Sequence, residues 1–271
     1  MLSAREDKSR VRSPAVAGLF YPADSGELRT TVSALLDTCP PQQQAARPKA
    51  LIVPHAGYVY SGVVAASGYG CLGESSTDIR RVVLIGPSHR VPIRGLALPS
   101  ADRFATPLGD VQVDDAGRRR LRELGLAGIN DAAHQNEHSL EVQLPFLQAQ
   151  LDQFEVLPIA VGLGPSEQVA SALKAVWDGP ETLVVVSSDL SHYHTYSEAT
   201  SLDDATTRSI LARRSDLSDE QACGAQIING LLEVARQKGM RVELIDQRNS
   251  GDTAGDRSRV VGYACYALYD A

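Results

Sequence analysis

The chain has 271 residues, 43% of them hydrophobic, which suits one large α/β domain or two small ones. Its 26 basic and 33 acidic residues leave a net charge of −7, which argues against a general nucleic-acid binder. No apolar run approaches the roughly 18 residues of a membrane span. The charged N-terminus has no signal-peptide core, and the four scattered cysteines lack Cys-x-x-Cys spacing, so a reducing cytoplasm is expected.

Residues 1 to 12 read as a mobile tail. Val16 to Pro22 is apolar and aromatic and should pack on the domain. Asp24 to Cys39 is expected to be helical, with Asp24 and Glu27 at capping-box spacing and Leu28, Val32, Leu35 and Leu36 on one face. Pro40 and Pro41 stop it, and the stretch to Pro48 is a linker.

Leu51 to Val53 is a short buried strand ended by Pro54, which has no N–H to continue a ladder. His55 follows it, and then a helix of small residues, Ser61 to Gly70, able to lie close to a sheet. The pattern recurs: a strand over Val82 to Ile85 leads through Gly86-Pro87 to Ser88 and His89. A third strand, Leu183 to Val186, leads to Ser187, Ser188, Asp189 and His192. Ligands of open α/β sheets bind beyond the carboxyl ends of the strands. If the three strands are parallel, His55, His89, Asp189 and His192 face one crevice.

Between these strands, Arg94 to Val113 has the breaks of antiparallel strands, and Asp115 to Leu124 is a short polar helix. Asn136 to Leu151 is expected to be a helix capped by Asn136 and bent or tightened at Pro145. His138 and Glu141 would share its face, as solvated charges or as part of a site. Phe154 to Val161 is a strand and Pro165 to Trp177 an amphipathic helix; Leu202 to Arg214 is helical. Ser218 to Lys238 is the clearest helix, with a Ser218/Gln221 capping box; Val242 to Asp246 and Val260 to Tyr269 are closing strands. His134 is read as a loop residue and His194 as a surface neighbour, neither with a role.

Imidazole nitrogen and cysteine sulfur favour zinc, iron or copper over magnesium. Cys223, near the start of the Ser218 helix, would have its thiol pKa lowered by the helix N-terminus. It is either a ligand or a small buried residue with inert sulfur. His192 could act as a general acid or base, with Asp189 orienting it or binding a ligand group.

The segments PHAGYVYSG at Pro54 to Gly62, GPSH at Gly86 to His89, EHSLEVQLPF at Glu137 to Phe146, SSDLSHY at Ser187 to Tyr193 and ACG at Ala222 to Gly224 occur in this order. So ordered, the chain resembles the Memo family, also called AmmeMemoRadiSam system protein B in bacteria and archaea. The resemblance covers nearly the whole chain and implies a single domain over residues 13–271. It implies a mainly parallel central sheet flanked by helices, with peripheral antiparallel strands, like the class III extradiol (LigB-like) dioxygenases. By motif the metal ligands would be His55, His89 and Cys223, with iron(II) first and copper or zinc as alternatives. His192 and Asp189 would be catalytic, and His138, Glu141, Tyr58 and Ser88 would line the cleft or support the ligands. The dioxygenases carry a carboxylate where this chain has Cys223, so ring cleavage does not carry over with the fold. The resemblance implies a redox enzyme, or a module that binds a small molecule or peptide without chemistry. Zinc-dependent hydrolysis is a third reading. It also implies a functional link to radical-SAM and AMMECR1-like proteins.

Overall fold

A computed structural model describes residues 10–39 and 47–271. Residues 1–9 of the expected tail and 40–46 of the expected linker lie outside the described residues. In chain order the elements are β1 (Val11–Arg12), α1 (Ser25–Asp37), β2 (Ala50–Val53), α2 (Tyr58–Gly70), β3 (Arg81–Pro87), β4 (Leu96–Leu98), β5 (Arg103–Thr106) and β6 (Gly109–Val113). There follow α3 (Asp115–Glu123), β7 (Gly128–Ile129), α4 (Ala132–Gln135), α5 (Leu144–Gln150), β8 (Glu155–Val161), α6 (Ser166–Val176) and β9 (Thr182–Ser187). The chain closes with β10 (His192–His194), α7 (Tyr196–Leu211), α8 (Ala225–Gln237), β11 (Arg241–Asn249) and β12 (Val260–Tyr269).

These strands form one open sheet in the order β1-β5-β6-β8-β3-β9-β2-β12-β10. From β6 to β2 every neighbour is parallel. The antiparallel pairs lie outside that centre: β12 on β2, with β11 and β10 on β12, β5 on β6, and β4 on the far end of β8. The mainly parallel α/β sheet expected from sequence is therefore present.

Period-two alternation divides the core. Leu51 and Val53 of β2, Val82 and Leu84 of β3, and Leu183 and Val185 of β9 enter one cluster with α1, α2 and α5. Ile52, Val83, Ile85, Val184 and Val186 enter the other with α6 and α8. Both faces are covered by helices, which is why these strands read as continuous apolar runs. The small-residue helix α2 packs as close as expected: a Cβ on Gly68 would lie 2.2 Å from Cys265 Sγ.

Three expectations shift. Val11 and Arg12 do not belong to the expected tail: they pair with Arg103 and Phe104, and Arg12 is buried. Asn136 does not start a helix; it ends α4, and Glu137 to Leu140 form a loop leading through a 3₁₀ turn, Glu141–Gln143, into α5. Pro145 fixes that start, since a ring without an N–H fits a helix's first turn and not its interior. Finally, α8 begins at Ala225 rather than Ser218. Ser218 and Gln221 close a separate turn, and Gly224 lies against Ser188, where a Cβ would come within 2.8 Å.

Candidate metal centre

The three histidine-bearing or aspartate-bearing strand ends are neighbours. Register sets Val53 level with Ser187 and Ile85 level with Val186. His55, His89 and Asp189 therefore leave the same carboxyl edge, as the strand-end pattern requires. The loop before α5 folds over this edge. Gly86 permits it, because a Cβ there would meet Ser139 Oγ at 3.0 Å and Leu140 at 3.1 Å. That loop delivers His138. The rings of His55, His89 and His138 lie with centroids 4.8–5.4 Å apart, and each offers a nitrogen within 4.8 Å of the others.

Hydrogen bonds fix two of the imidazoles. Ser187 donates its hydroxyl to Ser139 O (2.6 Å) and accepts from Gln143 Nε2 (2.8 Å). His55 Nδ1, 2.9 Å away, must then be the donor to that hydroxyl, which leaves Nε2 with a lone pair. Glu137 takes His89 Nδ1–H at 3.0 Å, so His89 Nε2 is likewise free. Burial opposes the Glu137 charge. The His89 ring and the N–H groups of Ser139, His89, His138 and Arg90 outweigh it and hold the carboxyl well below its usual range. Burial pushes His55 well below an ordinary imidazole and His138 down to about 4. His55 and His138 are thereby held neutral, the form in which histidine binds a metal, and a carboxylate stands behind His89, a common support for a ligating ring.

Cys223 adjoins this group without joining it. Its Sγ lies 3.4 Å from His55 Nε2 and accepts the Asp189 N–H at 3.3 Å. The compact three-donor group thus has His138, expected to line the cleft or support the ligands, as its third member. Nor is the thiol acidified by a helix start: burial, with the Asp189 charge, pushes it up to about 12. The helix begins two residues later, and Asp189 is adjacent. Asp189 holds the His55 N–H through Oδ1 (2.7 Å), and burial pushes its carboxyl up to about 6. His192 sits in β10, half-buried, its Nδ1 donating to Leu190 O at 2.8 Å, close enough to bear electrostatically on His55 and Asp189.

The remaining candidates separate. Ser88 lines the cleft and donates its hydroxyl to Val91 O. Tyr58 is a packing residue: its hydroxyl donates to Val142 O and its ring meets Tyr21 and Phe146. Glu141 faces away from the cleft. Its carboxylate accepts from Ala15 N–H (2.8 Å), Val16 N–H (3.0 Å) and Tyr21 Oη–H (2.6 Å) and pairs with Arg12. Arg12 also donates to His134 O and, at 2.7 Å, to Glu137 O, so it clamps the loop that carries His138. His134 is a buried helical residue bonded to Ala97 O. Sequence reasoning gave no role to Glu137, Ser187, Gln143 or Arg12. Glu137 and Gln143 stood inside a quoted motif, but nothing in their spacing marked them as supports.

A cleft of about 410 Å³ opens beside the histidines, bounded by segments 87–93, 161–163 and 219–227 and reached by His89 and Cys223. No helix among the described residues is long and apolar enough to cross a membrane.

A family model described as "Memo-like protein" matches residues 12–267. The chain is 36% identical over 270 residues to a MEMO1 family protein of Aquifex aeolicus, covering 94% of this chain and 97% of the relative. A MEMO1 family protein of Archaeoglobus fulgidus is 35% identical (94% and 98% covered), and one of Sulfolobus acidocaldarius 37% identical (93% and 97%).

Proposed function

The chain belongs to the Memo-like family, and from that premise we propose that it is a metal-binding protein whose cluster of His55, His89 and His138 holds a transition metal. Cys223 is the adjoining soft donor. The observation that carries this reading is the approach of the three rings, each offering a nitrogen within 4.8 Å of the others, with Ser187 behind His55 and Glu137 behind His89 occupying the Nδ1 atoms. Nitrogen and sulfur donors favour iron(II), copper or zinc. We place iron(II) first, on the resemblance to dioxygenase-like proteins.

A bound ion would supply a Lewis-acidic or redox-active centre at the cleft. The chain's own groups do the rest. Glu137 and Ser187 orient the imidazoles. Asp189, whose carboxyl burial pushes up to about 6, can take or give a proton near neutral pH, and His192, its Nδ1 held by Leu190 O, stands beside it as the second candidate acid or base. The cleft, of about 410 Å³, has room for a small molecule or a peptide side chain. The reaction class these features support is metal-dependent redox chemistry. A link to radical-SAM and AMMECR1-like proteins belongs to the same proposal.

The test is anaerobic titration of iron(II), copper(I) and zinc into wild type, His138→Ala and Cys223→Ser, followed by oxygen uptake with a catechol panel. Both variants should lose affinity, Cys223→Ser most for copper(I). Unchanged affinity in His138→Ala would remove that ring from the centre. Metal binding and catechol binding without oxygen uptake would leave a non-catalytic binding module.

A further inference from the structure

The cleft's walls specify more than its floor. Ile93, Leu163 and Ile227 make it apolar, and Leu163 is 64% exposed, leaving surface that a ligand would cover. Besides Ser88, His89 and Cys223, the polar side chains there are Asp219, exposed to solvent, and Gln226, half-buried. Among the described residues neither side chain has a hydrogen bond or an ion pair. No lysine or arginine among the described residues lines the cleft, so Asp219 carries the only fixed charge on those walls. A lone carboxylate beside apolar surface repels an anionic ligand and favours a cationic one with an apolar body.

We propose that the cleft takes a small primary amine with an aromatic or branched apolar body. Asp219 and Gln226 hold its ammonium group, and Ile93, Leu163 and Ile227 enclose the body. The volume of about 410 Å³ suits a single ring with a short side chain. The inference deepens the metal-centre reading and rests on it for the ligand's other end, where a donor atom would meet the histidine cluster.

Phenethylamine and phenylacetate share a ring and differ in charge. Each is titrated into the full-length protein, metal-free and zinc-loaded, by calorimetry and NMR shift mapping. The amine should bind roughly 5-fold or more tighter than the acid in the metal-free protein, less so at high salt. Asp219→Asn should bring the two within about twofold. Asp216→Asn, which alters a carboxylate outside the cleft lining, should leave the preference intact. Equal binding, preference for the acid, shifts outside the cleft, or no binding of the amine would overturn the proposal. Asp219→Asn should leave zinc affinity unchanged. A protein that prefers the amine yet binds no metal would end the metal reading alone.

Discussion

Glu137 and Glu141 stand four residues apart, both buried, at the two ends of the loop that carries His138. Around Glu137 the donors are His89, the Arg90 N–H and the N–H groups of its own loop, so its charge holds a ring at the candidate metal centre. Around Glu141 the donors are Arg12, Tyr21 and the N–H groups of Ala15 and Val16, so its charge ties the N-terminal segment to the scaffold. Neither the residue type nor the burial separates a site carboxylate from a structural one. The identity of the donors does.

The largest effect should come from breaking the structural side. Glu141→Leu strands the Arg12 guanidinium in the interior, and losing one partner of a buried pair costs about 3–5 kcal/mol. Urea unfolding should show a lower midpoint, and adding Arg12→Met should recover part of the loss. A midpoint unchanged in Glu141→Leu would place its carboxylate outside the scaffold after all.

Glu137→Gln should do the reverse. The amide can no longer hold the His89 N–H as a charged acceptor, and loss of such a partner typically lowers metal affinity about 10–100-fold. Unfolding of the metal-free protein should shift less than in Glu141→Leu. Equal stability losses with equal metal affinities would dissolve the distinction between the two carboxylates.

Asp203 extends the contrast to a buried carboxylate with too few donors. It accepts Ser191 N–H at 3.1 Å, and burial pushes its carboxyl from an ordinary 3.8 up to about 6. Its folded value lies above its unfolded one, so its contribution is fully present below about pH 4 and is lost as pH rises through about 6. Asp203→Asn should therefore be more stable than wild type at pH 7 by about 1–2 kcal/mol, the gap closing below pH 4. A gap independent of pH would mean that the carboxylate is satisfied when charged. The smallest effect should be that of His192→Ala on metal content, within about twofold of wild type, because its ring lies outside the three-nitrogen group. Lost metal would make it a ligand.

The parallel centre was legible because strands buried on both faces are apolar throughout, and each ended in a small-residue turn bearing His55, His89 or Asp189. His138 was legible only as a neighbour of uncertain purpose. Its place depends on Pro145 delaying a helix and on Gly86 admitting Ser139, both long-range matters that local periodicity does not encode. Arg12 was hidden for the same reason: it acts on carbonyls 122 and 125 residues away. The Ser218 start was misread because a capping-box pair can close an isolated turn as well as open a helix.

The strand order also bears on how the molecule is made. The neighbours of β2 are β9 and β12, and those of β3 are β8 and β9. A ribosome that has finished α5 has already released His55, His89 and His138, but no strand able to pair with β2 or β3. The nascent chain then carries two apolar strands with open edges, a state that invites aggregation and chaperone capture. Chains cut short before Thr182 are expected in the insoluble fraction, and the edge that gathers the three histidines is complete only in the finished polypeptide.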